Sequence, residues 1–209
     1  MNHRFGAPLL PALLFATAVL LPGAAHAERV VTEDLVGDAH SLTIDWEGGA
    51  PSAFVPAPAE TSVDVVRTVA AHGAKRLRVA VQLRDLRAGH PRATFLDVVV
   101  VTPDRSYSLE LLKVPGHRLS TDFWGRRRDL VHCRAALRGR MDRASDTLEV
   151  SLPTACLSTP RWVRLGVQVS GFDMPLGPGG VPETTYVDDG HRDTFSETNT
   201  GKGPKIHRG

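Results

Sequence analysis

Hydrophobic and polar residues alternate with a period of two along much of the chain. The alternation is sharpest in 76–85 (RLRVAVQLRD), where four aliphatic residues fall on one face and three arginines and a glutamine on the other. Since successive side chains of a β-strand point to opposite faces, this pattern predicts an antiparallel strand with one side in water. Residues 94–102 (TFLDVVVVT) are almost continuously apolar and predict a central strand, which Pro103-Asp104 turns back into 106–114 as a hairpin.

Turn residues separate these strands from several others. The pattern predicts an edge segment at 28–40 and further strands at 41–46, 62–71, 130–137, 148–152, 162–170 and 184–187. No helical period is visible after residue 27. Short strands at this spacing predict an all-β fold, a single antiparallel β-sandwich of jelly-roll or immunoglobulin-like type with about eight or nine strands.

The N-terminus has the three parts of a secretory signal. A basic segment precedes an apolar run, 8–21, and Ala25-His26-Ala27 supplies the small residues of a cleavage site. The run is shorter than the roughly 20 residues that span a bilayer, which disfavours a membrane anchor. We therefore expect residues 1–27 to be a signal peptide cleaved after Ala27, and the mature chain to be secreted without inserting into a membrane.

Composition predicts the remaining domain boundaries and limits the classes of molecule that the chain is expected to bind. Residues 28–172 are predicted to form the sandwich domain, and 173–209, rich in Gly, Pro, Thr and Asp, a partly disordered tail, above all after Thr198. The 25 basic and 23 acidic side chains nearly balance, so the overall charge gives no reason to expect nucleic acid as a partner.

The chain has two cysteines, Cys133 and Cys156. In an oxidising compartment two thiols in one small domain are expected to form a disulfide. A redox-active or metal-binding thiol pair is the alternative, and the absence of C-x-x-C spacing argues against it.

Three segments together resemble known sandwich families. Asp34-x-x-Gly37-Asp38, the strand opening Asp64-Val65-Val66 and the strand core Leu77-Arg78-Val79-Ala80-Val81 resemble the beginning of DOMON and family 9 carbohydrate-binding β-sandwiches. The cysteine-containing stretch 153–164 is similar to uncharacterised secreted proteins of GC-rich bacteria. The first resemblance implies a carbohydrate-binding-like module and, in the N-terminal region, a structural calcium ion.

Asp34, Asp38 and Asp64 are the candidate metal ligands. They are expected to converge where two strands begin, and carboxylate oxygens are the hard ligands that suit Ca²⁺. The alternative is that Asp34 and Asp38 only cap a turn by bonding the backbone two residues on. A second acidic stretch, Asp188-Asp189-Gly190-His191, is predicted to be an exposed turn rather than a metal site.

The candidate ligand-binding loop is 123–128 (FWGRRR). Aromatic rings beside guanidinium groups, here Phe123, Trp124, Arg126 and Arg128, can stack on a sugar ring and pair with an anion. Trp46 is expected to add a further ring. The alternative is that Phe123 and Trp124 fold under the sandwich edge and leave the arginines solvated.

No catalytic motif accompanies these features. The chain has no G-x-S-x-G elbow, H-E-x-x-H pair or phosphate-binding glycine loop, so we expect no enzyme. The sequence predicts a secreted non-catalytic binding module for carbohydrate or another extracellular ligand, with a cell-wall glycan or an envelope protein as the partner. A structural or protein-interaction domain of the cell envelope, without a small-molecule site, is the alternative.

Overall fold

The computed structural model of the protein describes residues 27–43, 53–86, 92–125, 131–173, 184–193, 196 and 200–209. The predicted signal peptide, apart from Ala27, lies outside these residues, as do Trp46, Arg126 and Arg128.

Thirteen strands make up most of the described residues. They are β1 (Glu28–Glu33), β2 (His40–Thr43), β3 (Val55–Pro56), β4 (Val65–His72), β5 (Arg76–Leu83), β6 (Arg92–Val101), β7 (Ser106–Lys113), β8 (Ser120–Trp124), β9 (Arg138–Asp142), β10 (Thr147–Pro153), β11 (Trp162–Asp173), β12 (Thr184–Asp189) and β13 (Ile206–His207). The described residues also include one helix, α1 (Val131–Ala136), and a 3-10 turn, Thr154–Leu157.

The strands form two sheets, and every pairing is antiparallel. The five-stranded sheet has the order β1-β4-β5-β10-β9, and the larger sheet has the order β3-β2-β12-β11-β6-β7-β8, with β13 added beside β11. The predicted hairpin is formed by β6 and β7, in register from Thr94 opposite Lys113 to Val101 opposite Ser106. The predicted all-β class and antiparallel sandwich are confirmed, whereas the thirteen strands of the described residues exceed the predicted eight or nine.

One hydrophobic core lies between the sheets. Alternate residues of each central strand are buried, as the period of two predicted. The five-stranded sheet contributes Leu77, Val79, Val81, Leu148, Val150 and Leu152, and the larger sheet contributes Leu96, Val98, Val100, Leu109, Leu111, Phe123, Val163, Leu165, Val167 and Val169. The opposite face of each strand therefore remains available to solvent or to a ligand.

Five elements differ from the sequence prediction. The segment predicted as a strand at 130–137 contains the helix α1, and four short strands, β3, β8, β9 and β13, lie outside the predicted strands. Gly139 explains the weak pattern of β9: a Cβ atom there would lie 2.5 Å from Thr121 Cγ2, so the inward position must carry no side chain.

The predicted disulfide joins Cys133 in α1 to Cys156 in the 3-10 turn. Both cysteines pack against the core, so the bond attaches the helix to the end of β10. A disulfide of this kind indicates an oxidising compartment. Among the described residues, no helix is long and apolar enough to cross a membrane.

Residues 200–209 pack on the sandwich, although composition predicted disorder after Thr198. Ile206 is only 3% exposed and lies opposite Val163 of β11. The backbone N–H of Gly209 donates to the His72 carbonyl at 3.1 Å, and that of Gly203 donates to the Leu165 carbonyl at 2.8 Å. One buried isoleucine and a ladder of backbone bonds thus order a segment whose composition is otherwise polar.

Removing the disulfide should destabilise the domain. We predict that Cys133→Ser or Cys156→Ser lowers the free energy of unfolding by about 3 kcal/mol, because the bond restricts the unfolded chain. Urea denaturation measures the change. The double variant should unfold like either single variant, and a single variant with the wild-type midpoint would contradict the structural role.

The C-terminal segment should contribute to stability through Ile206. We predict that Ile206→Ala lowers the free energy of unfolding by about 2–5 kcal/mol, the usual loss for a buried aliphatic side chain. Val55→Ala is the matched control, because Val55 is 52% exposed, and it should be nearly neutral. Equal urea midpoints for the two variants would show that residues 200–209 do not pack in solution.

Candidate functional site

Three carboxyl groups meet where the chain passes from one sheet to the other. Asp34 follows β1 of the five-stranded sheet, Asp38 precedes β2 of the larger sheet, and Asp188 lies in β12 beside β2. One carboxylate oxygen from each lies within 4.8 Å of the other two. The cluster therefore links both sheets at a single point.

The backbone of the crossing segment fixes the positions of Asp34 and Asp38. The N–H of Asp34 donates to the Val66 carbonyl at 3.2 Å, which holds the end of β1 against β4. Gly37 has φ +86°, a left-handed conformation that favours glycine and reverses the chain between the two aspartates. A tight turn between two strand ends thus brings both side chains to the same place.

Asp64 and Asp188 are bound to the same turn and strands. The N–H of Gly37 donates to Asp64 Oδ2 at 2.9 Å, and Arg84 Nη1 lies 2.8 Å from the same oxygen. The N–H of Val65 donates to Asp188 Oδ2 at 2.7 Å across a sequence separation of 123 residues. These bonds hold the start of β4 against β12, beside Asp34 and Asp38.

Several oxygens of this cluster are buried without a partner. Asp34 Oδ2, both carboxylate oxygens of Asp38 and Asp64 Oδ1 are shielded from solvent and have no hydrogen-bond donor among the described residues. Asp64 is completely buried. A buried acceptor without a donor costs about 1–3 kcal/mol, and more when it is charged, so these oxygens require a proton or a cation.

The raised pKa values of these aspartates also indicate that the cluster needs a proton or a cation. Burial first, and then the charges of Asp188 and Asp38, raise the pKa of Asp34 to about 8. Burial also raises the pKa of Asp188 to about 7, with a further contribution from the charge of Asp38. The pKa values of Asp38 and Asp64 are raised too, mainly by burial. Without a bound cation, the cluster therefore holds protons at neutral pH.

A calcium ion fits the donor set. Ca²⁺ takes carboxylate oxygens at about 2.3–2.6 Å, so two of its ligands lie no more than about 5.2 Å apart, as the three clustered oxygens do. Arg84 forms an ion pair with Asp64, and His40 lies close enough to Asp38 to lower the pKa of that carboxyl in part. Asp34, Asp38 and Asp188 would coordinate the ion, and Asp64 Oδ1 is the fourth buried oxygen beside them.

The sequence identified three of these four residues. Asp34 and Asp38 meet as expected, and Asp64 lies in contact with their turn through Gly37. The fourth, Asp188, was expected in an exposed turn. Instead Asp188 and Asp189 are 1% and 2% exposed, because β12 pairs with both β2 and β11.

The described residues of the candidate ligand-binding loop lie partly in the core and partly at the surface. Phe123 is fully buried and stacks on Tyr107 with ring centroids 5.6 Å apart, so its assignment as a ligand contact is wrong. Trp124 is 48% exposed, and the Arg134 guanidinium lies 4.6 Å from its ring centroid. Arg134 also pairs with Asp122 at 2.9 Å. One face of the exposed ring is therefore already occupied by a cation.

A groove of about 540 Å³ lies on the outer face of the five-stranded sheet. This volume is within the usual range of ligand sites. Its floor is formed by small side chains such as Ala71 and Ala80, and arginines from three strands line it: Arg29, Arg78, Arg138 and Arg140. The sequence marked this face as polar but gave no sign of a groove, since its residues come from strands far apart in the chain.

The aspartate cluster should make the metal-free protein less stable at high pH. The folded state keeps protons on Asp34 and Asp188 up to pKa values of about 8 and about 7, whereas the unfolded chain loses them near the usual value of 3.8. Their stabilisation is thus complete below the unfolded value and is lost progressively as pH rises from there to the folded pKa values. We predict that this loss lowers the melting temperature in EDTA between about pH 4 and about pH 8 and ends above that range.

Asp34→Asn is the matched variant for this pH dependence, since an amide cannot ionise. It should lose less stability than wild type over the same pH range. An equal fall in both proteins would show that Asp34 is not responsible.

Comparison of the chain with models of known protein families, with curated proteins and with solved structures found no match. The function is therefore inferred from the geometry of the sites.

Proposed function

We propose that this chain is an exported, non-catalytic binding module, a β-sandwich completed by a Ca²⁺ ion at Asp34, Asp38 and Asp188. The observation that carries the calcium site is Asp64 Oδ1, a fully buried oxygen without a donor among the described residues, beside three converging carboxylates. The signal sequence and the disulfide support export to an oxidising compartment.

The proposed ion has a structural role. The carboxylates come from the ends of elements in both sheets, so a cation at this place would hold the sheets together. Asp188 is 1% exposed and its oxygens already accept the N–H groups of Val65 and Asp189. Such a buried site is suited to stabilising the fold rather than to receiving a substrate.

The groove on the five-stranded sheet is the surface on which a ligand would bind. Among the described residues that line it there is no histidine or cysteine, and the serine there, Ser151, accepts a hydrogen bond from Arg76 Nε at 2.7 Å. This lining lacks a paired nucleophile and general base, and so supports binding rather than catalysis.

Calcium should stabilise the protein. Extracellular calcium modules bind with dissociation constants of about 10⁻⁴–10⁻³ M, so ~10 mM Ca²⁺ should add roughly 1.4–2.7 kcal/mol of stability. For a chain of this size we predict a rise in melting temperature of roughly 3–10 °C. The shift should be larger at about pH 8.5 than at about pH 6, because protons compete with the ion for Asp34 and Asp188, whose pKa values are about 8 and about 7.

Asp34→Asn and Asp38→Asn should remove most of this shift while leaving the protein folded. Asp104→Asn is the matched control, since Asp104 is exposed in the turn between β6 and β7. Wild-type protein that does not respond to Ca²⁺, or variants that respond equally, would remove the calcium site from the proposed function.

A further inference from the structure

We propose that the groove on the five-stranded sheet binds a linear acidic polysaccharide, one that carries carboxylate or sulfate groups. This inference rests on the proposed function and names its ligand class. It is carried by three arginines that lie in one line across the sheet without carboxylate partners, above a floor of small side chains.

The line of arginines follows from the strand register. Arg29 of β1 is opposite Ala71 of β4, which is opposite Arg78 of β5. Arg78 is in turn opposite Ser151 of β10, and Ser151 is opposite Arg138 of β9. Since neighbouring strands are about 4.8 Å apart, these arginines repeat every ~9–10 Å at every second strand. A row of this kind matches an extended chain that carries regularly spaced anionic groups.

These three guanidinium groups are not neutralised by the protein. On the same face, Arg67 pairs with Glu33 at 2.9 Å and Arg140 with Asp142 at 2.7 Å. No such carboxylate partner exists for the three arginines of the row among the described residues, and all three are exposed. Arg138 Nη1 also donates to the Ala135 carbonyl at 2.8 Å, but a guanidinium has five N–H donors. Arginine can form charge-assisted hydrogen bonds with carboxylate and sulfate oxygens, so the row provides three positions for an anionic group.

The floor of the groove allows a chain to lie close to the sheet. Ala71 and Ser151 separate the arginines in the row, and Ala80 lies in the next row opposite Glu149. These side chains are short, whereas the arginines and Glu149 are long and exposed. The result is a shallow channel that crosses the strands, bounded by groups that donate and accept hydrogen bonds.

The mixed lining favours a polysaccharide over other polyanions. Glu149 can accept hydrogen bonds from sugar hydroxyl groups, but it repels a polymer that presents only carboxylates, such as an acidic peptide. Of the residues that the structure describes, no aromatic one lines the groove, whereas proteins that hold single-stranded nucleic acid stack bases on aromatic rings. The ladder hydrogen bonds of all five strands are directed along the sheet, so a peptide cannot add as a further strand on this face.

The test is binding of the calcium-loaded full mature protein to dextran sulfate, to polygalacturonate and to neutral dextran, measured by isothermal titration calorimetry. We expect binding to at least one of the two acidic polymers and none to neutral dextran, with affinity that falls as NaCl rises from about 50 mM to about 500 mM. The two acidic probes separate sulfate from carboxylate recognition. Polyglutamate tests an acidic polymer without hydroxyl groups and should bind more weakly.

Two variants locate the site, and one controls for overall charge. Arg78→Gln removes the central guanidinium and should weaken binding about tenfold, the loss expected for one charge-assisted contact. Ala71→Leu keeps every charge but fills the channel, and should weaken binding by a similar factor. Arg161→Gln removes an exposed arginine that does not line the groove and should leave affinity unchanged. Melting temperatures establish that each variant is folded.

The outcomes separate this inference from the proposed function. Binding to neutral dextran that is insensitive to Arg78→Gln would keep a binding module but overturn the acidic ligand. Equal or stronger binding of polyglutamate would overturn the polysaccharide class. If none of the polymers binds to folded, calcium-responsive protein, the groove is not their site and the acidic-polysaccharide inference fails while the calcium site stands.

Discussion

Four aspartates, two of them fully buried and two half-buried, lie together where the chain crosses between the two sheets, and Arg84 forms an ion pair with Asp64 among them. Burying charges of like sign is costly unless a proton or a cation compensates them. The position of the cluster makes this cost important for the whole fold. Hydrogen bonds of these aspartates join the end of β1, the turn at Gly37, the start of β4 and β12, and a metal ion there would change repulsion between the sheets into attraction.

The disulfide and the C-terminal segment stabilise other parts of the sandwich. The disulfide attaches α1 to the end of β10, and Ile206 packs beside β11. Among the residues that the structure describes, neither contact involves the aspartate cluster. The decreases in the free energy of unfolding caused by removing each contact should therefore be additive. The molecule therefore combines a covalent link, an apolar contact and a charge-dependent contact, and we expect only the last to respond to pH and, if the proposed ion binds there, to calcium.

The sequence predicted the central strands well because one face of each strand requires apolar residues for the core and the other face carries more polar ones. In β5, and in β7 up to Leu111, buried residues alternate with residues that are more exposed. Such a period can be recognised from the sequence without knowledge of the tertiary structure. It failed at β9, where Gly139 faces inward and leaves no apolar signal, and at α1, where packing and the disulfide override a local preference for strand.

The sites were predictable only where their residues are close in sequence. Asp34 and Asp38 belong to one turn, and the family resemblance carried by this turn and by Asp64 implies a calcium ion there. Asp188 joins them through strand pairing over a long sequence separation, and the arginine row arises from the register of five strands. The aspartate cluster and the arginine row both depend on which strands pair in the folded protein, and no local sequence pattern predicts that pairing.

The most direct test of the calcium site is a calorimetric titration of the metal-free protein with Ca²⁺ at about pH 7, in two buffers of different ionisation enthalpy. Because Asp34 and Asp188 hold protons in the metal-free state, their pKa values of about 8 and about 7 predict that calcium binding releases protons. The observed binding enthalpy should then differ between the buffers. Binding with equal enthalpies in both buffers, or no binding in either, would contradict this account of the cluster.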